Sequence, residues 1–158
     1  QFKTRAVRKI YLAIVEGNIG KESGAFSSRI GRHPVDRKKM SSKAKSGRES
    51  LTNWKVLKRF EDATLVEAEP RTGRTHQIRV HFSENGCPVL ADAVYGNKKH
   101  KSAAVVSAAR KIGRQALHAS KIGFFHPHTQ EFVEFTAPIP RDMSEALNIL
   151  AESGENSL

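Results

Sequence analysis

One cysteine, Cys87, in 158 residues leaves no partner for an intrachain disulfide and too few thiols for a cysteine-built zinc site. That usage predicts a reducing, cytoplasmic setting. No apolar run approaches the length of a spanning helix, and no stretch sets a Lys-rich face against a Trp/Phe-rich one, so no membrane partner is expected. A Gly-rich loop leading into Lys-Ser/Thr is missing, which excludes a phosphate-cradling nucleotide site of that kind. Acid is scarce too: 16 Asp+Glu face 27 Lys+Arg, a net charge of +11. A polyanionic partner, nucleic acid first, follows from that imbalance.

The basic charge is concentrated. Lys21 to Ser50 carries nine Lys/Arg against three acids in a Ser- and Gly-rich setting, and is expected to be a mobile basic loop or a long hairpin. Asn97 to Arg114 carries Lys98, Lys99, Lys101, Arg110, Lys111 and Arg114 with no acid at all. These clusters nominate Arg32, Arg37, Lys38, Lys39, Lys98, Lys99 and Arg114 as contacts to a phosphate backbone. Between them lies Arg71-Thr-Gly-Arg-Thr-His-Gln-Ile-Arg-Val-His-Phe82, where no acid occurs before Glu84.

Periodicity divides the chain into short elements. Lys9 to Val15 is a near-continuous apolar run that predicts a buried strand, with Ile10, Leu12 and Ile14 on one face and Tyr11, Ala13 and Val15 on the other. Leu51–Phe60 and Ala63–Ala68 form a pair around Glu61-Asp62, and Ala116–Phe125 and Glu131–Thr136 form another around His126–Thr129. Val89 to Tyr95 reads as a further extended piece. Arg141 to Ala151 predicts a terminal helix with Leu147 and Leu150 inward, followed by a polar tail over 152–158. Residues 74–86 fit a short helix, with Thr75 as its N-cap and Gly86 at its end. That places Arg74, His76 and Gln77 at a helix start, where free N–H groups favour an anion. The sum is an α+β domain over 1–151, built mainly from antiparallel strands.

Other chemistry finds little support. His76 and His81, five apart, lack the spacing of helical metal ligands, and no metal site is expected. Asp36, Asp62, Asp92 and Asp142 are scattered, so no paired-carboxylate hydrolase emerges. Cys87, before Pro88, reads as a small buried residue.

Four segments in order cover most of the chain: Lys9-Ile-Tyr-Leu-Ala-Ile-Val-Glu-Gly17; Ile30-Gly-Arg-His-Pro-Val-Asp-Arg-Lys-Lys-Met40; Thr72-Gly-Arg-Thr-His-Gln-Ile-Arg-Val-His81 with Pro88 and Asp92-Ala-Val-Tyr-Gly96; and Arg114-Gln-Ala-Leu-His-Ala119 with Gly123-Phe-Phe-His-Pro127. Together they resemble the RluA-type pseudouridine synthases. The resemblance implies a mixed, mostly antiparallel sheet flanked by helices, and isomerisation of uridine in rRNA or tRNA without a cofactor. It implies that Tyr11 packs under a flipped uridine and that Arg79 pairs with the catalytic aspartate. On residues alone, Tyr11 is a core tyrosine and Arg79 a phosphate contact.

The family's His-Arg-Leu-Asp segment does not occur in these 158 residues, and Asp92 falls in a segment read as structural. The expectation is therefore the later part of a catalytic domain, inactive alone and with an uncovered sheet edge prone to self-association. The alternative is a non-catalytic RNA-binding module that retains the synthase scaffold.

Overall fold

The computed structural model of the chain describes residues 1–36, 38–96 and 102–155. Its centre is a seven-stranded antiparallel sheet in the order β3-β2-β4-β5-β1-β6-β7. The strands are β1 (Arg8–Glu16), β2 (Ser23–Arg32), β3 (Met40–Ser41), β4 (Arg48–Arg59), β5 (Ala63–Pro70), β6 (Leu117–Phe125) and β7 (Phe132–Thr136). Among the described residues, three helices accompany them: α1 (Gln77–Glu84), α2 (Ala103–Ile112) and α3 (Arg141–Glu155).

β1 pairs with β5 on one side and β6 on the other. Ala13, Ile14 and Val15 are wholly buried, which explains why its apolar run does not alternate. A register shift against β6 between Ile10 and Tyr11 breaks strict alternation, so the two predicted faces of β1 hold only beyond it. β4 alternates cleanly, burying Ser50, Thr52, Trp54 and Val56 while Lys55, Lys58 and Arg59 stay in solvent. The basic segment 21–50 is the hairpin of the two sequence expectations: β2 pairs with β4 from Ser23↔Lys55 to Ile30↔Arg48, and β3 adds two residues at the edge.

α1 seats Ile78 and Phe82 in the core, where Phe26 packs edge-on against Phe82 at 5.2 Å. α2 and α3 bury Val105, Ala108 and Ile112 against Met143, Ala146 and Leu150 in the same cluster. Arg114 binds Asp142 through two hydrogen bonds of 2.8 and 3.0 Å, fastening the end of α2 to the start of α3.

Four local expectations are corrected. α2 lies within the stretch read only as basic charge; Ser102 caps it by accepting the Val105 N–H, and left-handed Gly113 ends it. Val89 makes a single bridge to Val15, after which residues 90–95 turn rather than extend, because the Asp92 carboxylate gathers the Val94 and Tyr95 N–H groups. α3 runs to Glu155, into the region expected to be a polar tail. The N-cap of α1 is His76 rather than Thr75, in left-handed geometry and without a side-chain cap. Among the described residues no helix is long and apolar enough to cross a membrane.

Candidate RNA-binding cleft

The loop from β5 into α1 crosses the end of β1 and leaves a cleft of about 360 Å³. β1 contributes Lys9 and Tyr11, the loop Thr72, Gly73 and Arg74, the start of α1 His76 to Arg79, and the β6 side Gln115 and Leu117. Two further grooves share Gly73 and Arg74 with it. One is lined by Lys3, Arg5, Lys9 and Arg71, the other by Arg32 and Arg48. Among the described residues, no carboxylate lines any of the three. Cations converging on one loop form a track suited to a sugar-phosphate backbone.

A chain of buried hydrogen bonds fixes that loop. Ser50 Oγ donates to the Ser28 carbonyl at 2.7 Å, so it accepts from His81 Nε2 at 3.0 Å. His81 Nδ1 is then an acceptor for Thr52 Oγ1–H at 2.9 Å. Thr52 Oγ1 accepts from Gln77 Nε2 at 2.9 Å, and Gln77 Oε1 takes Thr72 Oγ1–H at 2.7 Å and the Arg74 N–H at 3.0 Å. Each proton has one place to go only if His81 is neutral. Burial does lower its pKa, with Glu84 opposing weakly. Gln77 and His81 are thus internal struts, and Gln77 reaches the cleft as part of its wall.

Arg79 stands at the rear, its side chain 12% exposed. Its Nε and Nη2 donate to Asp92 Oδ2 and Oδ1 at 2.6 and 2.7 Å, and its guanidinium lies 4.9 Å from the Tyr95 ring centre. Burial alone would raise the Asp92 pKa; Arg79 and the N–H groups of Tyr95 and Val94 outweigh it and hold the carboxylate ionised. Among the described residues the partner of Arg79 is therefore Asp92, where the resemblance implied the catalytic aspartate. Asp92 occupies two of the five guanidinium N–H groups.

The other nominated residues fall in two places. Tyr11, Arg74, His76, Gln77 and Arg79 share the cleft, and Arg32 lines the adjoining groove. Lys38 is exposed on the β2–β3 loop, with Lys39 beside Asp36 at 3.8 Å. Arg114 is occupied by Asp142 and the Gln115 and Leu117 carbonyls, apart from the cleft lining. Arg37, Lys98 and Lys99 lie outside the described residues. Sequence reasoning missed Lys9, Thr72 and Gln115. All three stand within the quoted motif segments, and tertiary pairing is what brings them to one cleft.

A family model described as RNA pseudouridylate synthase matches residues 1–84. The chain belongs to the RNA pseudouridine synthase family, in its RluA-type branch. The Bacillus subtilis (strain 168) RNA pseudouridine synthase YlyB is 41% identical over 154 residues, 98% of this chain and 48% of the relative. Ribosomal large subunit pseudouridine synthase D of Neisseria meningitidis serogroup B is 41% identical over 160 residues, 99% of this chain and 42% of that one. The solved structure of human RNA Pseudouridylate Synthase Domain Containing 1 aligns with a TM-score of 0.73 at 28% identity, covering 99% of this chain and 69% of its own. The chain spans about half the length of the curated relatives it matches.

Proposed function

We propose that this polypeptide is the tyrosine- and arginine-bearing part of an RNA pseudouridine synthase acting on rRNA or tRNA. The observation that carries the reading is the cleft itself: Tyr11, Arg79 and a basic rim come together without a carboxylate among the lining residues. In the proposed reaction C1′–N1 breaks, the base turns, and C1′ joins C5; N1 gains the hydrogen that C5 loses. The basic track holds the backbone of RNA whose target uridine has left its stack, and the Tyr11 ring offers it a surface. The N–H groups of Arg79 that Asp92 leaves over are available to an incoming aspartate carboxylate.

The four aspartates of this sequence lie outside the cleft lining, and the family's Arg-Leu-Asp segment does not occur. The 158-residue chain therefore binds RNA and does not isomerise it. Incubation with total RNA followed by pseudouridine quantification tests this, and turnover above background would refute it. In the complete enzyme, Tyr11→Ala is expected to abolish turnover and to weaken RNA binding by about fivefold or more, since stacking of a base on an aromatic ring is worth about 1–3 kcal/mol. Arg79→Ala should abolish turnover while RNA affinity changes less than about threefold, since phosphate contacts elsewhere dominate affinity. That variant is read on protein whose thermal unfolding is also followed, because it strands Asp92. The occupied state of Arg79 favours the second reading, a binding module without chemistry. That reading predicts no turnover even in the complete protein.

A further inference from the structure

Within the cleft, one side chain holds its place at a backbone cost. His76 lies in left-handed geometry (φ 57°, ψ 19°), which a residue with a Cβ adopts at a penalty of about 1 kcal/mol or more. Such strain persists where the surroundings enforce it. Here the enforcement comes through the side chain. His76 Nδ1 is 2.9 Å from Tyr95 Oη, and the two rings meet edge to face at 5.6 Å.

Tyr95 is fixed from several directions. Its N–H donates to Asp92 Oδ1 at 3.0 Å, its carbonyl accepts from Ser83 Oγ at 2.8 Å, and its ring carries the Arg79 guanidinium. Its hydroxyl accepts the Met40 N–H at 2.8 Å, from the strand that closes the basic β2–β3 loop. With Met40 donating to the phenol oxygen, the phenol's own hydrogen is left for His76 Nδ1. Burial raises the Tyr95 pKa, so the phenol keeps that hydrogen. Burial first and Arg79 second lower the His76 pKa, with Asp92 opposing. A neutral imidazole that accepts at Nδ1 carries its hydrogen on Nε2.

We propose that His76 reads the base: its Nε2–H, fixed as a donor by Tyr95, hydrogen-bonds a carbonyl oxygen of the uracil held in the cleft. The proposal rests on the cleft being the uridine site. Lys9 and Arg74 already supply cations for phosphate along the same walls, and an uncharged donor adds little there. Against a neutral carbonyl it supplies direction without charge, as an oriented side chain does when an unstacked base is read along its edge. The arrangement also makes Tyr95 a positioning residue. It connects the loop that grips RNA, through Met40, to the donor that faces the base.

Two measurements test this on the 158-residue chain. Long-range proton–nitrogen correlation of histidine-labelled protein at neutral pH should show His76 as the Nε2–H tautomer, and Tyr95→Phe, which keeps the ring, should populate the Nδ1–H form. An Nδ1–H tautomer in the unsubstituted protein, or no change in Tyr95→Phe, would overturn the proposal. Fluorescence anisotropy then compares a short single-stranded RNA holding one uridine with the same strand carrying an abasic ribose there. His76→Asn tolerates left-handed geometry but falls short of the base, so folding is preserved. It should weaken the uridine strand about five- to tenfold, the worth of one hydrogen bond, and leave the abasic strand unchanged. Equal weakening on both strands would put the contact on the backbone and sink the base assignment, as would no weakening at all. If the unsubstituted chain binds both strands equally, the cleft is not a uridine site, and the functional reading fails with it.

Discussion

Asp92 and Arg79 form the most consequential pair at the residue scale, because the aspartate side chain is 0% exposed and its partner only 12%. Removing one member of a buried pair leaves an uncompensated charge, which costs about 3–5 kcal/mol. Asp92→Asn keeps the shape, removes the charge and should lower stability by that amount in urea unfolding at neutral pH. The pH dependence has a definite sign. The folded Asp92 pKa lies below the ordinary value of 3.8, so its contribution is complete above that value and is lost as pH falls through the folded one. The wild-type chain should therefore lose stability below about pH 4, and Asp92→Asn should flatten that part of the curve. An Asn variant within 1 kcal/mol of wild type would show that the pair is structurally dispensable.

At the scale of elements, His81 joins β2, β4 and α1 through Ser28, Ser50 and Thr52. His81→Phe fills similar space but withdraws both ring nitrogens, leaving buried hydroxyls with fewer partners at a cost of about 1–3 kcal/mol. Because burial lowers the His81 pKa below its ordinary 6.5, its neutral form stabilises the fold above that pH, and the contribution falls away on acidification towards the folded pKa. Thermal unfolding across pH 7 to 5 should show a shallower fall in the variant, and parallel curves would refute a neutral strut. None of this network could be read from sequence, since its members are up to 53 residues apart. What could be read was local. The two hairpins and α1 followed from turn residues and from Ile78 and Phe82 at helical spacing. α2 was hidden by its charge, although Ser102 before it and Gly113 after it are ordinary start and stop signals. Tyr11 and Arg79 entered through motif resemblance; their meeting in one cleft is a product of β1 crossing beneath the β5–α1 loop.

At the scale of the molecule, the two ends of the sheet differ. β3 is a two-residue edge tied to α1, since Ser41 Oγ and the Ser42 N–H both donate to Glu84. β7 is a five-residue edge, and its hairpin with β6 aligns Ile122 with Phe135 and Phe124 with Val133 on one side. Phe135 is 58% exposed and Ile122 37% exposed. An open edge beside an apolar face is a template for pairing with another strand. The proposed outcome is self-association of the isolated chain through β7. Sedimentation velocity should show the average mass rising with concentration, and Phe135→Lys should restore the monomer, because a charged edge residue opposes strand addition. No β7 residue lines the cleft, so the variant should keep wild-type RNA affinity. A chain that is monomeric at every concentration, or an oligomer indifferent to Phe135→Lys, would remove β7 as the contact.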